Sequence, residues 1–202
     1  MKKYMKWIIV FISFFVFCFI SVNVFRDNVL ISDNIIYNFI SEYFFSDKIT
    51  PIVRMITEFG DIIFIVVITV ISLLIFKDKK SRYSIVINLI LVSIINSVLK
   101  LIFMRPRPNF NPIVYEDSYS FPSGHSMISM AFYGYLIYLI YNHIGNKMVR
   151  WGLIIIMSIL VLLIGISRIY LGAHYPSDVI GGFCFSITYL IVFIDITKKI
   201  LK

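Results

Sequence analysis

Apolar and polar positions are segregated along this chain into long blocks. Six apolar blocks stand out, roughly Trp7–Val24, Asp61–Phe76, Ser84–Phe103, His125–Tyr141, Trp151–Ile166 and Val179–Ile196. Each approaches the roughly 20 residues that a helix needs to cross a bilayer. Between the first two blocks, Ile35, Ile36, Phe39, Ile40, Tyr43 and Phe44 recur at helical spacing, while Asp33, Asn34, Asn38, Ser41 and Glu42 face away. That pattern predicts an amphipathic helix in the headgroup layer, capped by Ser32 or Asp33. Thr50 followed by Pro51 predicts a second short helix ending near Gly60, with threonine as cap and proline in the first helical position. This stretch suits packing over the bundle and guiding a substrate equally well. The expected fold is all-α: one domain over residues 1–202, an integral membrane bundle of six transmembrane helices, with an interfacial amphipathic helix between spans 1 and 2.

Composition agrees with a membrane setting. The chain is 59% hydrophobic, against about 45–50% for a soluble domain. The net charge of +8 would suit a nucleic-acid binder, but the cations are distributed by topology. Lys2, Lys3, Lys6, Lys77, Lys79, Lys80, Arg82, Lys147, Arg150, Lys198, Lys199 and Lys202 fall on one side of the predicted bundle. Only Arg26, Lys48, Arg54, Lys100, Arg105, Arg107 and Arg168 fall on the other. Both termini are therefore expected in the cytoplasm, with the excess charge meeting anionic lipid. The lysines before the first block resemble a signal peptide, yet no clear small-x-small cleavage site follows, so a retained helix is expected. Cys18 and Cys184 each sit alone in an apolar run, which predicts free thiols.

Three polar clusters interrupt the apolar background on the side with fewer cations. Ionisable groups near membrane depth are expensive and mark sites. Lys100 ends the third block, and Arg107 follows in the stretch MRPRPNFNP, where Pro106 and Pro108 stop the helix and stiffen the chain. Arginine grips two phosphate oxygens with a fork of donors, and lysine adds a point charge. Arg105 reads as a surface charge. Next come Pro122, Ser123, Gly124 and His125, opening the fourth block. A hydroxyl, a glycine that admits close backbone approach and a helix N-terminus together favour an anion. Glu116 and Asp117 just before them suit shaping the pocket or binding a headgroup, with a solvated loop as the plainer reading. The last cluster holds Ser167, Arg168, His174 and Asp178. Asp178 lies four residues after His174, one turn if the last helix begins early. A carboxylate on one imidazole nitrogen orients the other, the arrangement of an activated nucleophile. His143, in a predicted cytoplasmic loop with no cluster around it, receives no role.

The pattern Lys-x6-Arg-Pro, then PSGH, then Ser-Arg-x5-His-x3-Asp resembles the type 2 phosphatidic acid phosphatases. These are membrane lipid phosphatases whose active sites are related to those of vanadium haloperoxidases and bacterial acid phosphatases. The wording SFPSGHS and GISRIYLGAHYPSDVIGG is similar to bacterial phosphatidylglycerophosphatase B and undecaprenyl pyrophosphate phosphatases. The resemblance implies a hydrolase without cofactor or metal. Lys100, Arg107, Arg168, Ser123 and the Gly124 amide would bind phosphate. His174 would attack phosphorus and become phosphohistidine, Asp178 would orient it, and His125 would protonate the leaving group.

A site on the extracytoplasmic side of the cell membrane favours undecaprenyl pyrophosphate as substrate. Phosphatidylglycerophosphate, or a broad range that includes phosphatidate and diacylglycerol pyrophosphate, is the alternative. From other classes, an anionic-lipid transporter or binding protein would use the cations without turnover, and a haloperoxidase-like vanadate protein is disfavoured by the membrane. The expected partners are the phosphorylated lipid and the surrounding membrane lipids, with no nucleic acid and no obligatory protein partner.

Overall fold

A computed structural model describes residues 2–26, 29–109 and 112–200. Lys202, counted above among the inner cations, lies outside them. The described residues form eight helices and no strand: α1 (Lys2–Phe25), α2 (Ile31–Phe44), α3 (Thr50–Glu58), α4 (Ile62–Ile75), α5 (Lys79–Phe103), α6 (Gly124–His143), α7 (Lys147–Tyr170) and α8 (Pro176–Ile200).

Helix α6 is the axis of the bundle, packed against α5, α7 and α8. This position explains its polar composition. Its Ser126, Ser129, Tyr133 and Tyr135 are buried in protein. The Tyr133 hydroxyl donates to the Phe59 carbonyl at 2.7 Å, and Asn88 and Ser186 donate to α6 carbonyls at 3.0 and 2.7 Å. Polar groups satisfied between helices in this way hold a bundle together where lipid offers no hydrogen bonds. The exposed faces of α1, α4, α5 and α7 are mainly Ile, Leu, Val and Phe, as lipid contact requires.

Among the described residues, α1, α5, α7 and α8 are long and apolar enough to cross a membrane. Helices α3 and α4 together form a fifth candidate, bent by 50° at the break between them. Alone, the 14 residues of α4 reach only about 21 Å at 1.5 Å per residue. Helix α6, expected as a span, lacks the apolar character of the other four because protein surrounds it.

The segment before α4 departs from expectation in two details. Neither Ser32 nor Asp33 caps α2; Leu30 holds the cap position, and Asp33 is fully buried instead of facing away from the bundle. Thr50 is the first residue of α3, with Ile49 at the cap. Its hydroxyl turns back to the Ser46 carbonyl and the Tyr170 hydroxyl, at 2.9 and 2.8 Å. Competition from these neighbours displaces the local capping that sequence spacing suggests.

Helix α8 approaches the turn before α6 with almost nothing between. A Cβ on Gly182 would lie 3.1 Å from the Ser123 carbonyl oxygen, and one on Gly181 would lie 2.6 Å from the Phe121 ring. This close approach brings the second and third polar clusters together.

Candidate active site

Each cluster is delivered by a helix end. Helix α5 stops at Phe103, and Met104 takes a left-handed conformation with φ 44° while its N–H bonds the Lys100 carbonyl at 3.0 Å. Such a cap turns the chain sharply. After the turn, Arg105 is buried and Arg107 lies partly open. Helix α7 carries Arg168 in its last turn, then ends in a tight turn in which Gly172 has φ 68°. A glycine suits that left-handed position. The turn folds the Ala173 and His174 N–H groups back onto the Arg168 carbonyl, at 3.1 and 3.2 Å. The arginine and the histidine are thereby locked to one another.

The predicted groups converge. His174 is 1% exposed. Its Nε2 lies 3.3 Å from an Arg107 nitrogen, and its Nδ1 lies 3.5 Å from Asp178 and 3.4 Å from the Ser120 hydroxyl. An Nδ1–H facing the carboxylate leaves the Nε2 lone pair directed at Arg107. Burial, reinforced by Arg107 and Arg168, holds the His174 pKa down to about 3, against a partial upward pull from Asp178. The ring is therefore neutral throughout the physiological range. Because α8 begins at Pro176, His174 precedes the helix, so the pair does not share a helical turn as expected. The loop brings them together, with Asp178 accepting the Tyr175 N–H at 2.9 Å and the Ser120 hydroxyl. The imidazole is also enclosed, not at an open aqueous edge.

Lys100 donates to the Ser118 hydroxyl at 3.1 Å and to the Tyr119 carbonyl. Arg107 donates to Ser118 and Ala173 carbonyls at 2.6 and 2.7 Å. Arg168 is held from behind by Thr57 of α3 at 2.9 Å. A cleft of about 300 Å³ is lined by Lys100, Gly124, His125 and Glu116, with Asp61, Asn96, Ile62, Ile65 and Ile128 around them. It joins a cationic, amide-rich end to an apolar wall between α4, α5 and α6.

Three expectations need correction. Ser123, which like Arg107, Arg168 and His174 does not line this cleft, is buried, and its hydroxyl is committed as the α6 cap, accepting the Ser126 N–H and hydroxyl. The free anion-binding groups of that turn are the first N–H groups of α6, which have no acceptor within the helix. Glu116 is no solvated loop residue. Its carboxylate bridges Arg107, at 2.8 Å, and Arg168. Arg105 is not a surface charge either: it is 6% exposed and paired with Asp178 and Asp33. Sequence reasoning missed Asp33, Thr57, Arg105 and Ser120, since their partners lie far away along the chain. The one available signal was an acidic residue and an extra arginine in a chain where each buried charge demands a counter-charge.

This geometry suits a tetrahedral oxyanion: Arg107 sits beside the uncharged Nε2 of His174 and is joined to Arg168 through Glu116, and Glu116 borders the cleft lined by Lys100 and the start of α6. The pattern of the PAP2 superfamily matches residues 83–202, which hold all three clusters. Phosphatidylglycerophosphatase B of Bacillus subtilis is 44% identical over 95 residues, 45% of each chain. An undecaprenyl-diphosphatase of Sulfolobus acidocaldarius is 34% identical over 64% of this chain and 63% of its own. The matched stretches thus span between about half and two thirds of those two relatives. A crystal structure described as the first transmembrane PAP2 type phosphatidylglycerolphosphate phosphatase, from Bacillus subtilis, superposes with a TM-score of 0.82 at 26% identity. That match covers 95% of this chain and 96% of the other. With the clusters, their convergence and the superfamily pattern in agreement, the chain belongs to the PAP2 superfamily.

Proposed function

We propose that this protein is a membrane lipid phosphatase acting through a phosphohistidine, with no metal required. The observation that carries the reading is the polarity of His174: one nitrogen faces a buried carboxylate and the other faces Arg107. Phosphoryl transfer depends chiefly on positioning and on neutralising charge over the equatorial oxygens. Lys100, Arg107 and Arg168 supply that charge, with the first N–H groups of α6 including that of Gly124. Ser123 contributes by fixing this helix start.

In the first step, Nε2 of His174 forms a bond to phosphorus as the bond to the lipid oxygen breaks. His125 gives that oxygen a proton. Asp178 stabilises the positive charge that the ring acquires. Water then attacks phosphorus, releasing inorganic phosphate and restoring Nε2, with its proton returning to His125. The apolar wall of Ile62, Ile65 and Ile128 gives the lipid a lateral approach from the bilayer.

The substrate is a lipid phosphomonoester or diphosphate. Undecaprenyl diphosphate is preferred, because the charge bias puts both termini in the cytoplasm and the cleft on the outer face of a six-span bundle. In that arrangement α4 and α6 complete the crossings. The relationship to phosphatidylglycerophosphatase B favours phosphatidylglycerophosphate as the second substrate.

The test is phosphate release by purified protein in EDTA, with undecaprenyl diphosphate, phosphatidylglycerophosphate, phosphatidate and diacylglycerol diphosphate as substrates. His174→Ala serves as the blank and is expected to lose all measurable turnover. Binding of these lipids without turnover by the wild type would make the protein a lipid carrier. Normal turnover by His174→Ala would remove the nucleophile assignment.

A further inference from the structure

Behind the His174–Asp178 pair lies a second layer of buried charge that none of the three clusters predicts. Arg105 donates through one nitrogen to Asp178 and, at 2.8 Å, to the Ser177 hydroxyl. Its other nitrogen donates to Asp33 at 3.1 Å. The guanidinium carbon sits 4.1 Å from the centre of the Tyr175 ring, so the fork is stacked as well as bonded. Asp33, on α2, accepts the Ser177 N–H and hydroxyl, each at 2.8 Å. The Ser177 N–H belongs to the first turn of α8, where no intrahelical acceptor exists. Helix α2 therefore caps α8 with a carboxylate, next to the aspartate that faces the histidine.

The charges decide what this layer does. Asp178 bound to Arg105 alone would form a neutral pair and offer His174 little negative potential. With Asp33 the trio Asp33–Arg105–Asp178 carries one net negative charge in a buried setting, where such differences are strongly felt. The other charged or titratable groups around it are Lys100, Arg107, Arg168 and His125 on the phosphate side, the carboxylates of Glu116, Asp61 and Asp117 facing those cations, and Tyr175 beneath Arg105. The phosphate-side charges that act on the His174 ring itself are the positive ones of Arg107 and Arg168. The anionic surplus behind the ring therefore has to come from the trio.

We propose that Asp33 and Arg105 are positioning residues for the histidine: Arg105 fixes the Asp178 carboxylate, and Asp33 supplies the second negative charge that keeps the buried trio anionic. This rests on the phosphatase reading and deepens it, since it makes the helix between the first two spans part of the catalytic apparatus.

The experiment uses the full chain in detergent, reading kcat and KM for phosphate release together with the ¹⁵N titration of the His174 ring. Asp33→Asn is expected to lower kcat roughly ten- to a hundredfold, the usual effect of removing a group that orients another, with KM nearly unchanged. The His174 midpoint should move further down. Arg105→Gln should also lose kcat, because it leaves two buried carboxylates facing one another. The double variant D33N/R105Q restores one net negative charge and should turn over faster than Asp33→Asn alone. Arg105→Lys, which keeps the charge but loses the fork, should retain the His174 midpoint and serves if Asp33→Asn does not fold. A double variant slower than both singles, or an Asp33→Asn protein that loses stability while kcat and the His174 titration stay put, would overturn the proposal. So would a shifted His174 midpoint in Arg105→Lys. Absence of turnover in the wild type would instead defeat the phosphatase reading, and the titration would still decide whether Asp33 and Arg105 control the ring.

Discussion

In the proposed mechanism Glu116 occupies the two guanidinium groups that would grip the phosphoryl group, so the free protein would hold a competitor of its own ligand. Substituting Glu116→Gln removes the charge and keeps the size. The magnitude follows from the contact geometry. Hydrogen bonds to charged groups contribute about 1.5–3 kcal/mol when shielded, and exposed ion pairs about 0–1. The Glu116 side chain is 26% exposed, Arg107 16% and Arg168 only 2%, an intermediate case. A net hold of about 1–2 kcal/mol lowers apparent anion affinity roughly five- to thirtyfold, since only the fraction with vacated arginines is competent. Orthovanadate, a mimic of the phosphoryl group in transfer, should therefore inhibit Glu116→Gln with a Ki lower by about that factor, at fixed ionic strength. Stability should move the opposite way. Arg168 would lose its carboxylate while still facing Arg107, and unpairing a buried charge is destabilising by a few kcal/mol. A Ki that stays constant or rises, with the protein folded, would refute the view that Glu116 competes for the anion site.

Arg168→Lys should lose at least a hundredfold in kcat/KM, since a point charge cannot reproduce both the Thr57 contact and a second donor toward the cleft; near-normal kinetics in the phosphate-release assay would remove Arg168 from the site. The pH dependence of stability follows from His174, whose folded pKa of about 3 lies below the ordinary value near 6.5. Between those values the unfolded chain binds the proton and the native one does not. Stability is therefore complete above about pH 6.5 and falls on acidification by up to about 1.4 kcal/mol per unit, until about pH 3. Thermal unfolding from pH 7.5 to 5 should show this slope in the wild type and a shallower one in His174→Asn; equal slopes would contradict it.

Much of the proposed phosphate cradle was legible because charge is costly in this setting. Lys100, Arg107 and Arg168 are conspicuous in a chain built mainly of Ile, Leu and Phe, and their flanking prolines and glycines fix where helices end. The supporting layer was not legible, for a physical reason. Asp33 and Ser177 are separated by 144 residues, and Arg105 and Asp178 by 73, so no local periodicity links them. Arg105 and Arg107 share a proline-rich stretch and face different neighbours because Met104 turns the chain, and a left-handed methionine has no sequence signal. Helix α6 was correctly read as a helix, but its surroundings were not: tyrosines and serines on every side suit a helix wrapped by its neighbours as well as one partly open to water.

The bare contact at Gly182 has a wider consequence. The spacing between α8, next to the proposed nucleophile, and the helix proposed to receive the anion is fixed by an atom that is missing. A single methyl group there would press on the Ser123 carbonyl and require its neighbour to yield by a few tenths of an ångström. In-line attack tolerates little misplacement, so the rate is governed in part by a position with no chemistry to offer. Helix separation at this contact can therefore be altered by one substitution that leaves every charged partner in place.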